Sequence, residues 1–269
     1  FQETAFPDQP VGRPVLGTAE IVTGMPRQSI VDFVSENYAG DGMVFSAAGN
    51  IEHEALVSAV EAGFSPLRAD GMATSEPAAY VGGEHREERE LEQVHLLLGL
   101  PGAGFHDEGF YAQQIFSTLF GGGMSSRLFQ EVREKRGLAY SVYSYIYPYE
   151  NSAIYLGGLG TANERVAESL EVVKAEIAKL ADSGISADEL AKAKVFLNGS
   201  FPLRLDSNAK IARMLVAIRI SDLGLDYIDK RPALINAVTV EDIRRVARRL
   251  LISDAITWVI VGDPAGIDG

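Results

Sequence analysis

The stretch VEDIRRVARRLLISDAITWVIVGD, residues 240–263, contains an amphipathic helix, a short polar turn, a buried strand and a final Gly-Asp pair. The stretch RQSIVDFVSENYAGDGMVFSAAGN, residues 27–50, repeats this order at a shift of 213 positions (262 − 49). The shift aligns Ile30 with Ile243, Phe33 with Val246, Met43 with Ile256, Phe45 with Trp258, and Gly49 with Gly262. Because the helix period and the strand period agree without a gap, the pair predicts a duplicated domain. Chance similarity between two helix–strand endings is the alternative.

The repeat predicts how the chain is divided. Residues 1–66 form the C-terminal end of a first repeat, residues 67–80 a linker, and residues 81–269 the second repeat. The segment SPLRADGMATSEPAAY, residues 65–80, is rich in Ala, Ser, Pro and Gly, as linkers are. A first repeat of equal size would begin on the order of 130 residues before Phe1, so the first copy is expected to be incomplete.

The order of elements after the linker predicts the fold class. Strands are expected at 88–100, 139–147, 152–160 and 256–262, and helices at 107–120, 125–136, 162–184 and onward to 249. Ser125 is expected to cap the second of these helices and Gly137 to end it. Ser186 and Glu189 match a capping box, and Pro232 is expected to break the helical pattern. Because strands and helices do not alternate regularly, we predict an α+β fold, a mostly antiparallel sheet backed by helices.

The composition excludes some classes of partner. A net charge of −13 at pH 7 disfavours binding to phosphate backbones and to anionic membranes. Cysteine is absent, which rules out disulfides and thiolate metal ligands. The sequence has no run of about 18 apolar residues, the length that spans a bilayer. We therefore expect no nucleic-acid or membrane partner and a cytoplasmic location, with an export signal upstream of Phe1 as the alternative.

Three glycines, Gly121, Gly122 and Gly123, precede the segment MSSRLFQEVREKRGLAY. A P-loop needs a lysine and a hydroxyl after its last glycine, and a dinucleotide fingerprint follows a strand. Here no such lysine is present and the triplet follows a predicted helix, so nucleotide binding is a weak hypothesis. A flexible joint between two helices is the default interpretation, and a loop beside a substrate is the third.

The histidines do not form a recognisable metal motif. They are scattered along the chain, at His53, His85, His95 and His106. The segment HREER, residues 85–89, has an arginine where the H-x-x-E-H zinc motif has its second histidine. Because zinc sites need clustered ligands, we predict no metal site within this chain.

Arg133 and Tyr140 are the remaining candidates for chemistry. Arg133 lies near the end of a predicted helix, and Tyr140 begins the following strand, beyond Gly137. A turn of this length is able to direct both side chains at one cavity. A guanidinium donates to peptide carbonyls or carboxylates, and a phenol donates to a developing oxyanion. The residues alone favour a purely structural role for both side chains. Arg133 would then be exposed near Glu131 or Glu134, and Tyr140 would pack on its sheet.

Three segments carry a resemblance to a known family. They are FQETAFPDQPVGRPVLGT (1–18), GDGMVFSAAGNIEHEAL (40–56) and LFGGGMSSRLFQEVREKRGLAYSVYS (119–144). Together they resemble the pitrilysin/insulinase-type zinc peptidases, the inverzincins, and in particular the bacterial relatives of the mitochondrial processing peptidase. The resemblance covers essentially the whole chain. It implies duplicated α+β domains, in agreement with the repeat.

The resemblance implies a function for each candidate residue. The chain would be the C-terminal, substrate-binding part of a zinc metalloendopeptidase that hydrolyses peptides inside an enclosed chamber. Arg133 and Tyr140 correspond to the pair that reaches the substrate from the second half of such enzymes. Arg133 would bind the substrate backbone, and Tyr140 would also stabilise the transition state as a catalytic residue. Gly121, Gly122 and Gly123 are assigned to substrate binding.

The resemblance also implies partners and a metal. Zinc would belong to the complete protein, with its ligands and the catalytic Glu upstream of Phe1, and none would bind to this chain. The expected partners are a peptide substrate, the N-terminal half of the same protein and a second copy in a homodimer. The chain alone is expected to be inactive. The alternative is a non-catalytic homologue that acts as a structural or partner subunit of a processing complex.

Overall fold

A computed structural model describes residues 1–71, 75–252 and 255–267, which divide into two compact units. The first unit comprises Phe1–Arg13, Pro77–Asn198 and Pro232–Gly269, and the second comprises Pro14–Glu76 and Gly199–Arg231. The first unit contains the β-sheet and the main hydrophobic core. The described part of the second unit consists of helices and connecting segments. The predicted repeat boundaries rest on sequence similarity and stay a prediction.

The helices and strands have the following bounds. The α-helices are α1 Gln2–Ala5, α2 Ala19–Gly24, α3 Arg27–Asn37, α4 His53–Phe64, α5 Phe110–Gly121, α6 Val166–Asp182, α7 Ala187–Ser200, α8 Asn208–Ile220, α9 Tyr227–Ala237 and α10 Val240–Ile252. The strands are β1 Gly83–Glu88, β2 Gln93–Pro101, β3 Ala139–Pro148, β4 Ala153–Ala162 and β5 Thr257–Gly262. A π-helix spans Phe129–Glu134, and 3₁₀ helices span Pro10–Gly12, Gly40–Gly42, Asn163–Arg165 and Pro202–Leu205.

The five strands form one sheet in the order β1-β5-β2-β4-β3. Only the β1–β5 pair is parallel among the described strands, so the sheet is mostly antiparallel, as predicted. β5 lies between β1 and β2 although it follows them by more than 150 positions in the sequence. β1 has the exposed, charged sequence GEHREE, which is typical of an edge strand protected against further pairing. β3 forms the opposite edge.

One face of the sheet packs against helices. Alternate residues of β2, from Val94 to Leu100, are buried with side chains of α5, α6 and α10. The predicted stripe on α6 is buried: Val166, Leu170, Val173, Ile177 and Leu180. These alternations of period 2 and about 3.6 are those expected for strands and helices that share a core. The predicted hairpin of β3 and β4 is also confirmed.

The opposite face of the sheet is partly covered by the start of the chain. Phe6 packs edge-on against Tyr80 with ring centroids 5.3 Å apart, in a cluster that includes Ile154. The Tyr80 hydroxyl donates to Thr257 Oγ1 at 2.6 Å, and burial raises the pKa of Tyr80 to about 12. Gly99 is glycine because the Phe1 ring occupies the space where a side chain would begin. The N-terminal segment is therefore an integral part of the first unit.

Three local expectations are wrong. The strand expected at 88–100 begins only at Gln93, as β2, because the mostly charged residues 89–92 connect it to β1, a preceding strand that was not expected. Residues 43–48, all described, form no strand, since no other described strand pairs with them. Pro232 lies inside α9 instead of breaking the pattern. The helix continues through it without the hydrogen bond that a backbone N–H at this position would donate.

Candidate functional site

Arg133 lies in the π-helix at Phe129–Glu134, where the sequence predicts an ordinary helix over 125–136. π-Helical segments are rare in proteins, and those that occur often lie at functional sites. The expected cap at Ser125 is wrong, because Ser126 Oγ accepts from the Phe129 amide at 3.4 Å. The stop at Gly137 is confirmed, since this residue has a φ of +57° and donates to the Arg133 carbonyl at 3.0 Å.

Ion pairs and packing fix this segment in place. Val132 is buried in the core below the π-helix. Arg127 Nη2 lies 2.7 Å from Glu189 Oε1, and Arg127 Nη1 lies 3.7 Å from Glu176 Oε2. Glu189 also accepts from the Ser186 amide at 2.9 Å, which confirms the capping box of α7. Burial raises the pKa of Glu189, but hydrogen bonds from Ser186 and Arg127 outweigh it and lower that pKa. The Arg127 ion pairs therefore tie the segment carrying Arg133 to α6 and α7.

Tyr140 is the extra residue of a β-bulge. Ala139 pairs with Thr161 and Ser141 pairs with Gly160, so the chain advances by two residues on β3 and by one residue on β4. A bulge bends the strand and changes the direction of the side chain at that point. Tyr140 is 74% exposed, whereas Ala139 and Val142 beside it are buried. The bulge thus leaves two consecutive residues, Tyr140 and Ser141, exposed between two buried ones.

The structure brings Arg133 and Tyr140 together. The guanidinium carbon of Arg133 lies 5.4 Å from the centre of the Tyr140 ring and 4.8 Å from that of Phe129. Both distances are within the range of cation–π attraction. The Arg133 ion pair with Glu134 is long, at 3.9 Å, and is solvent-exposed. In the described part of the chain the Tyr140 hydroxyl has no hydrogen-bond partner, and the Arg133 guanidinium has only the long ion pair with Glu134, so both side chains have donors available to a ligand.

Close packing requires glycine at the first two positions of the triplet. α5 ends at Gly121, where an added Cβ would lie 2.5 Å from the Ser144 nitrogen of β3. At Gly122 an added Cβ would lie 2.6 Å from the Thr118 Cα. Gly123 has open space around its α-carbon. The triplet thus lets the end of α5 approach β3 closely, and its substrate-binding role stays a prediction.

Sequence reasoning missed the row of tyrosines on the edge strand β3. Tyr143, Tyr145 and Tyr147 are exposed on one face, and the rings of Tyr143 and Tyr145 stack with centroids 5.9 Å apart. Partial burial raises the pKa of Tyr145. Tyr143 lies across Gly158 of β4, where an added Cβ would be 2.6 Å from the Tyr143 hydroxyl. Tyrosine at every second position in AYSVYSYIY was the signal for this row.

The described residues do not fit a zinc ion. No group of three or more His, Asp or Glu side chains placed to hold a metal occurs within residues 1–71, 75–252 and 255–267. His85 and His95 are exposed on separate strands, β1 and β2. Among the same residues, no helix combines the length and the apolar character that a bilayer span needs.

Comparisons with known proteins give consistent results. The sequence pattern described as the peptidase M16 inactive domain matches residues 24–197. An uncharacterised zinc protease of Rickettsia bellii (strain RML369-C) is 32% identical over 269 residues, covering 97% of this chain and 63% of the relative. A second uncharacterised zinc protease, from Streptomyces coelicolor, is 36% identical over 260 residues, covering 93% of this chain and 57% of the relative. The chain thus spans less than two thirds of the length of these relatives.

A solved structure also resembles the chain. The crystal structure of a peptidase M16 inactive domain from Pseudomonas fluorescens superposes with a TM-score of 0.88 at 25% identity. The match covers 100% of this chain and 65% of that one. The fold class predicted from the sequence and the resemblance seen in its three segments are confirmed.

Proposed function

This chain belongs to the peptidase M16 family, in the part described as the inactive domain, and from that premise we propose that it binds substrate for a zinc metalloendopeptidase. The relatives from Rickettsia and Streptomyces are named zinc proteases, which supports a peptidase as the complete protein. The observation that carries the proposal is the pairing of Arg133 with Tyr140 on the π-helix and the β-bulge. Two irregular segments hold these exposed side chains side by side, which ordinary core packing does not require.

The proposed chemistry follows from the donors of the pair. The Arg133 guanidinium donates to carbonyl groups of the peptide backbone. The Tyr140 hydroxyl donates to the oxygen that gains negative charge when the scissile carbonyl is attacked. Since the described residues do not fit a zinc ion, no metal-dependent step is assigned to this chain. Its residues bind the peptide and stabilise charge, within an enclosed chamber shared with the N-terminal half of the protein.

The first test uses the chain by itself. We expect the 269-residue chain to cleave no fluorogenic peptide, with or without added zinc. Cleavage that depends on zinc and disappears on addition of a chelator would contradict the proposal, because it would place a complete catalytic centre within this chain.

The second test uses the complete protein. Tyr140→Phe removes one hydroxyl and should lower kcat roughly 100-fold, the cost of losing one donor to an oxyanion, while KM changes little. Tyr147→Phe on the same strand is the matched control, because Tyr147 is also exposed and lies outside the bulge. Equal kcat values for both variants would remove Tyr140 from catalysis.

The proposal extends to partners and location. The peptide substrate and the N-terminal half are the primary partners, a homodimer is the proposed assembly, and the location is cytoplasmic. A complete protein without peptidase activity that assembles with an active homologue would instead support the alternative, a structural subunit of a processing complex. Kinetics and size-exclusion chromatography on the same preparation separate these two outcomes.

A further inference from the structure

A cavity of about 490 Å³ lies between the end of β2 and the helices α5, α9 and α10. All of its walls belong to the first compact unit. None of the residues assigned to the substrate site contributes to it, so the cavity is separate from the Arg133–Tyr140 pair. Its size falls within the range of about 300–1,000 Å³ that is usual for sites of small ligands.

The body of the cavity is apolar. Its main apolar walls are Leu100, Tyr111, Leu234, Val238, Val246 and Leu250. Gln113, a polar wall residue, is engaged, because its Oε1 accepts from the Ala103 amide at 2.6 Å. Besides the Tyr111 hydroxyl, the remaining polar side-chain groups are the charged ones of Glu108, Asp242, Arg245 and Arg249. A ligand of this cavity therefore needs an apolar body and a small number of charges.

Three of the four arginines on α10 are already engaged. Arg244 donates to the Ser183 carbonyl at 3.2 Å, and Arg248 donates to the Ala181 carbonyl at 3.1 Å. Arg245 pairs with Asp242, which also accepts from the amide and hydroxyl of Thr239. Arg249 has neither an ion pair nor a hydrogen bond to any described residue. A free guanidinium beside an apolar cavity is suited to bind a carboxylate through two parallel hydrogen bonds.

Glu108 provides the opposite charge on the same cavity. It precedes α5 and is exposed, and no described residue forms an ion pair or hydrogen bond with its side chain. Arg249 and Glu108 thus place one free positive charge and one free negative charge around one apolar space. A ligand that satisfies both has a carboxylate, an ammonium group and an apolar body.

We propose that this cavity binds a short apolar peptide with both termini free. Its terminal carboxylate pairs with Arg249, its terminal ammonium pairs with Glu108, and its side chains fill the apolar walls. This is a second peptide site, and it does not depend on whether the complete protein is a peptidase.

Isothermal titration calorimetry of the 269-residue chain with trileucine tests the proposal. N-acetyl-trileucine lacks the terminal charge for Glu108, and trileucine amide lacks the one for Arg249. Each blocked peptide should bind about tenfold more weakly than trileucine, since each loses a hydrogen bond between charged groups. Equal affinities for the three peptides, or no binding of trileucine, would overturn the proposal.

Variants of the cavity assign each contact. Arg249→Gln should abolish the preference for trileucine over its amide, and Glu108→Gln should abolish the preference over the acetylated peptide. Arg219→Gln on α8 is the matched control, because Arg219 is exposed and lies outside the cavity.

Ala237→Leu fills the cavity from an exposed position and should block binding without loss of helix signal in circular dichroism. Trileucine binding that is lost in Arg133→Gln and retained in Ala237→Leu would place the peptide at the other site and refute this one.

Discussion

The segments 27–50 and 240–263 have the same apolar pattern, but only the second is packed into a core. α10 buries Ile243 and Ala247 completely, each with 0% exposure. At the positions of α3 that the 213-residue shift aligns with these, Ile30 is 54% exposed and Val34 is 44% exposed. Both segments nevertheless form a helix of 11 to 13 residues. The helical conformation is therefore encoded locally, while burial depends on the neighbouring elements.

The strands of the two segments differ more than the helices do. β5 pairs with β1 on one side and β2 on the other. Residues 43–48 pair with no described strand, although the Phe45 ring contacts Phe64 with centroids 4.6 Å apart. The glycines that follow have nearly the same φ, +135° at Gly49 and +138° at Gly262. The φ of this glycine is thus reproduced by local sequence, whereas a strand needs partners for its backbone groups.

The largest expected difference concerns the buried isoleucine of α10. Ile243→Ala should lower the free energy of unfolding by about 2–5 kcal/mol, because it leaves a cavity in the core. Ile30→Ala should cost about 0.5 kcal/mol or less, because the side chain is exposed. Urea unfolding followed by circular dichroism measures both. Similar losses would show that α3 is buried in solution and that the two segments are equivalent.

The two glycines should differ by a smaller amount. Alanine at either position is strained at this φ, which costs about 1–3 kcal/mol. At Gly262 the added Cβ would also lie 3.0 Å from the backbone Cα of Val94. At Gly49 it would lie 3.0 Å from the Asn208 side-chain amide, which is able to move. Gly262→Ala should therefore lower the urea midpoint more than Gly49→Ala, and the reverse order would contradict the packing around β5.

The smallest expected effect concerns the helix starts. α10 is preceded by Thr239, whose hydroxyl accepts from the Asp242 amide at 3.2 Å, whereas α3 follows Pro26 without a side-chain cap. Thr239→Ala should cost about 1 kcal/mol near neutral pH. Pro26→Ala should cost less, because no side-chain cap is removed.

The stability lost in Thr239→Ala should also depend on pH. The hydrogen bond from Thr239 holds the pKa of Asp242 below its usual value. A carboxyl group whose pKa is lower in the folded state contributes stability at pH values above its unfolded-state pKa, which is about 3.9 for Asp. That contribution is lost as the pH falls through the folded-state pKa. The difference between wild type and Thr239→Ala should thus shrink as the pH falls from 6 to 2. A difference that stays constant in urea titrations would exclude this linkage.

Local patterns predicted much of the fold. The α6 stripe, the hairpin of β3 and β4, the capping box at Ser186 and the stop at Gly137 all depend on residues within a few positions of one another. The insertion of β5 between β1 and β2 depends on pairing between distant segments, which periodicity does not encode. Strand β1 was missed because its charged sequence GEHREE lacks the alternation of apolar and polar residues that indicates a strand.

The candidate site was predictable in its residues but not in its geometry. The guanidinium and phenol chemistry of Arg133 and Tyr140 was visible in the sequence, and the family resemblance selected them. The π-helix and the bulge each add a single residue to a regular element, which leaves the apolar pattern almost unchanged. Close packing of Gly121 against Ser144 was likewise invisible, because it depends on the approach of α5 to β3.

The central place of β5 has a consequence for synthesis on the ribosome. β1 and β2 emerge early, but the strand that joins them is completed only when residue 262 has left the exit tunnel. Until then β1 is unpaired and one side of β2 is open, and unpaired strand edges attract other chains. A stop codon shortly before Thr257 should therefore produce an aggregating polypeptide that engages chaperones, although most of the sequence would already have been translated.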